Sequence, residues 1–265
     1  LSAARGNIAY INGTADEALK QFEQAVLYLA RERDVDPKLR ADILEGRGRI
    51  LIDLGRFDEA EAALQAANRL YATYRGEQHI NTGYNFYYLA LAAYSAGNNQ
   101  LAEERIGRAL AIVSRVLDKT NPIRADVLSL QGSIYQARGK LDLADRALAE
   151  SIDAYRAVYK GPHYNIGIAE FYRAQVAEQR GQLQSAIDHL DEAQRNYEAS
   201  YGKQHANIGE VLVTRAALLA KLGRLSTARS ECAAGIGMLN ATIGPDSSFT
   251  QGLRKTCDSL GRKDS

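Results

Sequence analysis

The chain has 265 residues, 46% hydrophobic and 25% charged, a composition typical of globular domains and long enough to bury a sizeable core. Thirty-three basic residues stand against 32 acidic ones, a net charge of +1, so no general attraction for nucleic acid or anionic lipid is built in. No run of 18 apolar residues appears, which leaves no candidate transmembrane span, and no signal peptide is apparent.

Apolar residues recur at helical spacing throughout, without period-2 runs, so the predicted elements are helices, arranged in pairs. The first pair covers about 1–33 and turns at Gly13. The second, 34–75, turns at Gly55; the third, 76–117, at Gly97; the fourth, 118–159, at Gly139. The fifth, 160–201, turns at Gly181, and the sixth, 202–243, at Gly223. A capping helix over about 246–261 follows, and "DSLGRKDS" reads as a polar tail that ends the protein. The chain opens on Leu1 rather than Met, already inside a helical pattern. It therefore reads as the C-terminal part of a longer protein.

The turn glycines are all 42 residues apart, and other columns keep the same register. Five residues after each comes Ala18, Ala60, Ala102, Ala144, Ala186 or Ala228. Twelve after comes Ala25, Ala67, Ala109, Ser151, Ala193 or Gly235. Seven before stands Gly6, Gly48, Ala90, Gly132, Ala174 or Ala216. Glycine suits a left-handed helix end, and small residues suit two helices crossing closely. Large residues fill the flanks: Phe22, Leu64, Ile106, Leu148, Leu190 and Cys232 nine after, and Leu29, Tyr71, Val113, Tyr155, Tyr197 and Leu239 sixteen after.

The segments "GRILIDLGRFDEAEAALQAA" (48–67) and "GSIYQARGKLDLADRALAES" (132–151) resemble the tetratricopeptide repeat. The 42-residue length, with connectors such as "YRGEQHINTG" and "YGKQHANIGE", is similar to the kinesin light chain type. The resemblance covers essentially the whole chain. It implies one all-α domain, a right-handed α-solenoid of six helix-turn-helix repeats plus the cap, serving protein–protein interaction. One column departs from the family, which usually has a buried Leu eight residues before the glycine; here stand Arg5, Arg47, Arg173 and Arg215. Snorkelling past the helix crossing is the expected arrangement, and pairing with carboxylates inside the stack is the alternative.

In that architecture the first helix of each pair lines the concave wall. In "GYNFYYLALAAYSAG" (83–97), Phe86, Leu89, Ala90 and Ala93 fall on the core side. Tyr84, Tyr87, Leu91 and Tyr94 form a second stripe roughly 130° away, facing the groove, while Tyr88 points elsewhere, toward a neighbouring helix. The same positions are Asp42, Glu45, Arg49 and Ile52 in the second repeat, and Asp126, Ser129, Ser133 and Gln136 in the fourth. In the fifth they are Ile168, Phe171, Gln175 and Glu178, and in the sixth Glu210, Val213, Ala217 and Ala220. The expected groove has aromatic anchors, amide and hydroxyl groups, and five carboxylates against Arg49, which suits a neutral to basic, partly apolar peptide or helix of a partner protein. The bland alternative is that the tyrosines pack on one another.

His79, His163 and His205 share one connector position, with Asn121 in the gap. Neighbouring repeats lie about 10 Å apart, too far to share a zinc ion readily. These side chains are expected to bond backbone groups near helix starts. His189 is expected to be a solvated surface residue. No nucleophile elbow, phosphate loop or metal motif is present, so neither a cofactor nor an enzyme is implied for this segment. Cys232 and Cys257 could form a disulfide, which would place the protein in a periplasmic or extracytoplasmic setting; two free buried thiols would suit the cytoplasm. The reading preferred from sequence is an interaction module. The alternative is a sensor or regulatory domain of a larger bacterial signalling protein, such as a receptor-type Ser/Thr kinase or a transcription regulator. Homodimer formation through connectors or convex helices is a third.

Overall fold

The computed structural model describes residues 15–32 and 34–260. Arg5, Gly6, Gly13 and the leading helix of the first pair lie outside them, as does the end of the polar tail. Twelve helices and no strand occur among the described residues. They fall into two compact units, residues 1–119 and 120–265, divided close to the expected boundary between the third and fourth pairs.

The first unit contains α1 (Ala15–Arg31), α2 (Pro37–Asp53), α3 (Phe57–Arg75), α4 (Ile80–Ser95) and α5 (Asn99–Val116). The second contains α6 (Pro122–Ala137), α7 (Leu141–Tyr159), α8 (Tyr164–Gln179), α9 (Leu183–Tyr201), α10 (Ala206–Lys221), α11 (Leu225–Thr242) and the cap α12 (Ser248–Ser259). Pairing is local: α2 with α3, α4 with α5, α6 with α7, α8 with α9, and α10 with α11.

Every leading helix from α2 to α10 starts with a side chain that accepts from the backbone N–H two residues on. The acceptors are Asp36, His79, Asn121, His163 and His205, at 2.9–3.2 Å. Such caps satisfy donors that the helix itself leaves unpaired. The three imidazoles accept through Nδ1, so they must be neutral there. The pair turns are set by glycine. Gly139 has φ +70° with open space around its Cα, so conformation alone selects it. Gly132 is chosen by contact: a Cβ there would stand 2.5 Å from Leu148 Cγ.

The large-residue columns are all buried, from Phe22 and Tyr71 in the first unit to Leu190 and Leu239 in the second. The departing arginines are not simply snorkelling. Arg47 lies 3.4 Å from Glu59, and Arg173 donates to Asp145 at 2.9 Å. Arg215, with a side chain 12% exposed, donates to Asp191 at 2.6 Å and Glu231 at 2.9 Å. A guanidinium this covered needs carboxylate partners to replace water. Arg105 is a buried arginine outside that column; it donates to Leu89 O at 3.1 Å and pairs with Glu61.

A disulfide links Cys232 on α11 to Cys257 on α12, with Cα atoms 5.7 Å apart. It fastens a cap with little core of its own, since Thr250 is its one fully buried residue. No helix among the described residues is long and apolar enough to cross a membrane.

Candidate partner-binding site

In the first unit the leading helices α2 and α4 bring together Glu45, Arg49, Tyr84, Tyr87, Leu91 and Tyr94, all half-buried. The rings of Tyr84 and Tyr87 stack with centroids 5.2 Å apart and planes 7° from parallel. Both meet Tyr88 edge-on, at 5.1 and 5.2 Å. Tyr88, expected off the groove stripe and against a neighbouring helix, is buried, and the Arg49 guanidinium of α2 lies 5.0 Å from its ring centroid. The cluster rests on the core around Leu51, Ile52 and Leu89. The tyrosines pack on one another, as the second expectation had it, and Tyr84, Tyr87 and Tyr94 keep part of their surface in solvent. Phe86, expected in the core, is half-buried and turned toward α5, where the Arg108 guanidinium lies 5.6 Å from its ring centroid.

The carboxylates of this face are largely engaged. Asp42 accepts from the Tyr71 hydroxyl at 2.8 Å and pairs with Lys38 at 2.5 Å. Glu45 accepts from Asn85 Nδ2 at 3.3 Å, and burial pushes its carboxyl up to about 7 against the lowering influence of Asn85 and Arg49. Asn85 is fully buried, and its Oδ1 has no hydrogen-bond partner among the described residues. The sequence carried a signal for it, because the same position elsewhere is Ile43, Val127, Ala169 or Val211.

In the second unit the expected anchors turn inward. Phe171, Ser129 and Gln136 are each 8% exposed, and Phe171 belongs to the core with Leu190 and Ala174; Gln175 is half-buried. Phe171 is drawn in because it packs with the apolar residues of α8, α9 and α10; like it, Ser129 and Gln136 are covered. They offer a partner little surface. Asp126 accepts from the Tyr155 hydroxyl at 2.5 Å, and Glu178 pairs with Lys221 at 2.6 Å. Burial raises the Glu210 carboxyl to about 7. The open negative lining expected from sequence is thus mostly compensated from within.

His189 is no solvated bystander. Its Nδ1 lies 2.8 Å from Glu170 Oε2, and Arg156 donates to Oε1 of the same carboxylate at 3.2 Å. Glu170 is only 2% exposed, a buried acid that periodicity alone did not flag. Among the described residues no cluster of His, Cys, Asp and Glu is placed to hold a metal ion.

Family models described as Tetratricopeptide repeat match residues 39–112 and 84–157, and residues 3–74 and 129–201. The chain belongs to the tetratricopeptide-repeat family, whose fold is a typical protein-interaction scaffold and typically non-catalytic. No curated protein matches the sequence. Among solved structures, BtubC (BKLC) from P. vanneervenii is 19% identical with a TM-score of 0.61, over 76% of this chain and 80% of its own. Cut9–Hcn1, an APC/C hetero-tetramer, matches at 15% identity and TM-score 0.71, over 98% of this chain and 42% of that one. A Rap protein complexed with Competence and Sporulation Factor matches at 11% identity and TM-score 0.68, over 98% and 86%. These likenesses establish the fold.

Proposed function

We propose that this chain is a non-catalytic module that binds a peptide or helical segment of a partner protein on the leading-helix face of its first unit. The observation that carries the reading is the half-exposed tyrosine cluster of α4, backed by a packed core and edged by Arg49 and Leu91. Rings held by their neighbours lose little conformational freedom on binding, and tyrosine offers apolar area with a polar tip. With Asp42 paired and Glu45 raised toward neutrality, the favoured partner is neutral and partly apolar. The solved Rap and Cut9 proteins, each captured with a partner, support the same use of the fold. The Cys232–Cys257 bond favours an oxidising compartment.

The test is capture of partners from the source cell by wild type and by Tyr84→Ala/Tyr87→Ala. Each lost anchor should weaken binding by about 1–2 kcal/mol. Undiminished capture by the double variant overturns the assignment. A regulatory role is the second reading, supported by likeness to a Pyrococcus horikoshii Signal Transduction ATPase with a tetratricopeptide repeat sensor, at 15% identity and TM-score 0.70, over 98% of this chain and 38% of that one.

A further inference from the structure

The first unit carries a second concavity, formed by different residues from the tyrosine face. It is a cleft of about 480 Å3 walled by α3 and α5 and floored by the first half of α4. Its volume lies within the range of ordinary ligand pockets. Arg69 and Ala72 line one wall, Arg108, Ile112 and Arg115 the other, and Phe86 the floor. The spacing explains why they converge: 108, 112 and 115 differ by four and three, so they share one stripe of α5. A smaller cavity of about 310 Å3 shares Arg69, Phe86 and Arg108 and extends the cleft toward Leu89.

The cleft is cationic in a protein of net charge +1. Three guanidiniums face one carboxylate, Glu77, across the larger cavity. They are also incompletely used. Arg115 is steadied by the neutral side chain of Gln78 at 2.8 Å, and Arg108, lying over the Phe86 ring, has an exposed same-helix ion pair with Glu104 at 3.0 Å. Arg69 has no side-chain hydrogen bond or ion pair among the described residues. This contrasts with Arg105 and Arg215, whose charges are answered from within. Beneath the charges lie apolar surfaces, Phe86, Ala72 and Ile112. A comparable opening in the second unit, of about 390 Å3, lacks this character. There the repeat counterpart of Arg108 is Glu192, and Arg156 is paired with Glu170.

We propose that this cleft binds a short acidic segment of another protein in extended conformation, with carboxylates on Arg69, Arg108 and Arg115 and an apolar side chain against Phe86. Planar guanidiniums pair with carboxylates through two parallel hydrogen bonds, which orders such a segment. Arg108 and Arg115 are seven residues apart, about 10 Å along a helix at 1.5 Å per residue. An extended peptide covers that span in about three residues, at roughly 3.3 Å each. Acids three positions apart, with an apolar residue between them, therefore fit the spacing, as the first and fourth residues of Asp-Glu-Phe-Asp-Glu do. The proposal does not depend on the tyrosine face, and it calls for a ligand of different charge.

The experiment uses the whole chain and a fluorescein-labelled acetyl-Asp-Glu-Phe-Asp-Glu-amide probe, read by fluorescence anisotropy at low and high salt. Wild type should bind it at low salt and release it as salt rises, because the contacts are charge pairs near the surface. Arg69→Glu/Arg115→Glu should bind it about tenfold more weakly or not at all, since reversing two charges repels the acids. Circular dichroism on that variant should match wild type, as both arginines are solvent-exposed. Arg195→Glu, at the repeat position of Arg69 in the second unit, should bind as wild type does. Three results would overturn the proposal: no wild-type binding of the acidic probe up to about 1 mM, the range of the weakest specific contacts; equal binding of the probe with Asn and Gln in place of its acids; or equal binding by wild type and the double arginine variant.

Discussion

Reduction of the Cys232–Cys257 bond should release the cap before anything else melts. The closed loop spans 25 residues. The chain-entropy relation gives about 12 cal/mol/K for a loop of that size, or ~3.5 kcal/mol at 25 °C. Little else holds α12 in place. Thr250 donates to Gly244 O at 2.9 Å, Arg254 donates to Asn240 at 2.9 Å, and Leu253 is only partly buried. The loss should therefore appear as local opening of α12 rather than as unfolding of the second unit. At about 1.4 kcal/mol per factor of ten, the opening equilibrium of α12 rises by up to roughly 300-fold. Hydrogen exchange of the α12 amides, compared with and without dithiothreitol, measures this directly. Trypsin cleavage at Arg254 and Lys255 reports the same opening. The comparison leaves side-chain volume unchanged, which a cysteine substitution would not. Identical α12 exchange in the oxidised and reduced proteins would refute the reasoning, because the bond would then contribute nothing to holding the cap.

Acid and base should act on this fold through opposite groups. Glu45 has a folded pKa of about 7, above its unfolded 4.5, so its contribution is complete below pH 4.5 and lost as pH rises through 7. Glu45→Gln should consequently raise stability by about 1–2 kcal/mol at pH 8 and leave it unchanged at pH 4, read as the shift in urea midpoint. His163 and His205 are shifted below 6.5 by burial, so their caps hold above that value and fail as pH falls through the lower folded pKa. Replacing both with Asn, the residue already capping α6 at Asn121, should flatten the acid limb of the stability curve below pH 6.5. Gly139→Ala should destabilise the second unit by ~1 kcal/mol or more, because a side chain is forced into a left-handed conformation at φ +70°. Unchanged thermal unfolding of that variant would remove the conformational explanation for the glycine column.

Shape was far more legible in the sequence than surface. Residues that touch the same neighbour in each copy repeat every 42 positions, so Leu64, Leu148 and Leu190 declare their burial by register alone. Even so, one column escaped notice: Ala41, Gly83, Ala125, Gly167 and Gly209 are small because the second helix crosses there. A Cβ on Gly83 would stand 2.7 Å from Ile112 Cγ2. The candidate site was legible only in the first unit. A helical wheel places Tyr84 and Phe171 on the same side of their helices, yet Tyr84 stays half-exposed while Phe171 is buried in the core shared by α8, α9 and α10. That difference belongs to the packing between repeats, which periodicity within one repeat does not encode. The arginines show the same limit. Arg215 could have reached water, but carboxylates from α9 and α11 meet it first.

The bond from Tyr71 to Asp42 has a twin in Tyr155 to Asp126, each joining residues 29 apart, and the alternate copies lack it. The corresponding pair in the third repeat is Tyr84 and Val113, and in the fifth Ile168 and Tyr197. The hairpins are thus uniform as solids but of two kinds as chemistry. Anyone shuffling, deleting or duplicating repeats to build longer scaffolds from this chain should treat the second and fourth as one interchangeable type. A graft of the fifth into either place would bring Tyr197 together with Ile168 at the position where its hosts supply an acid.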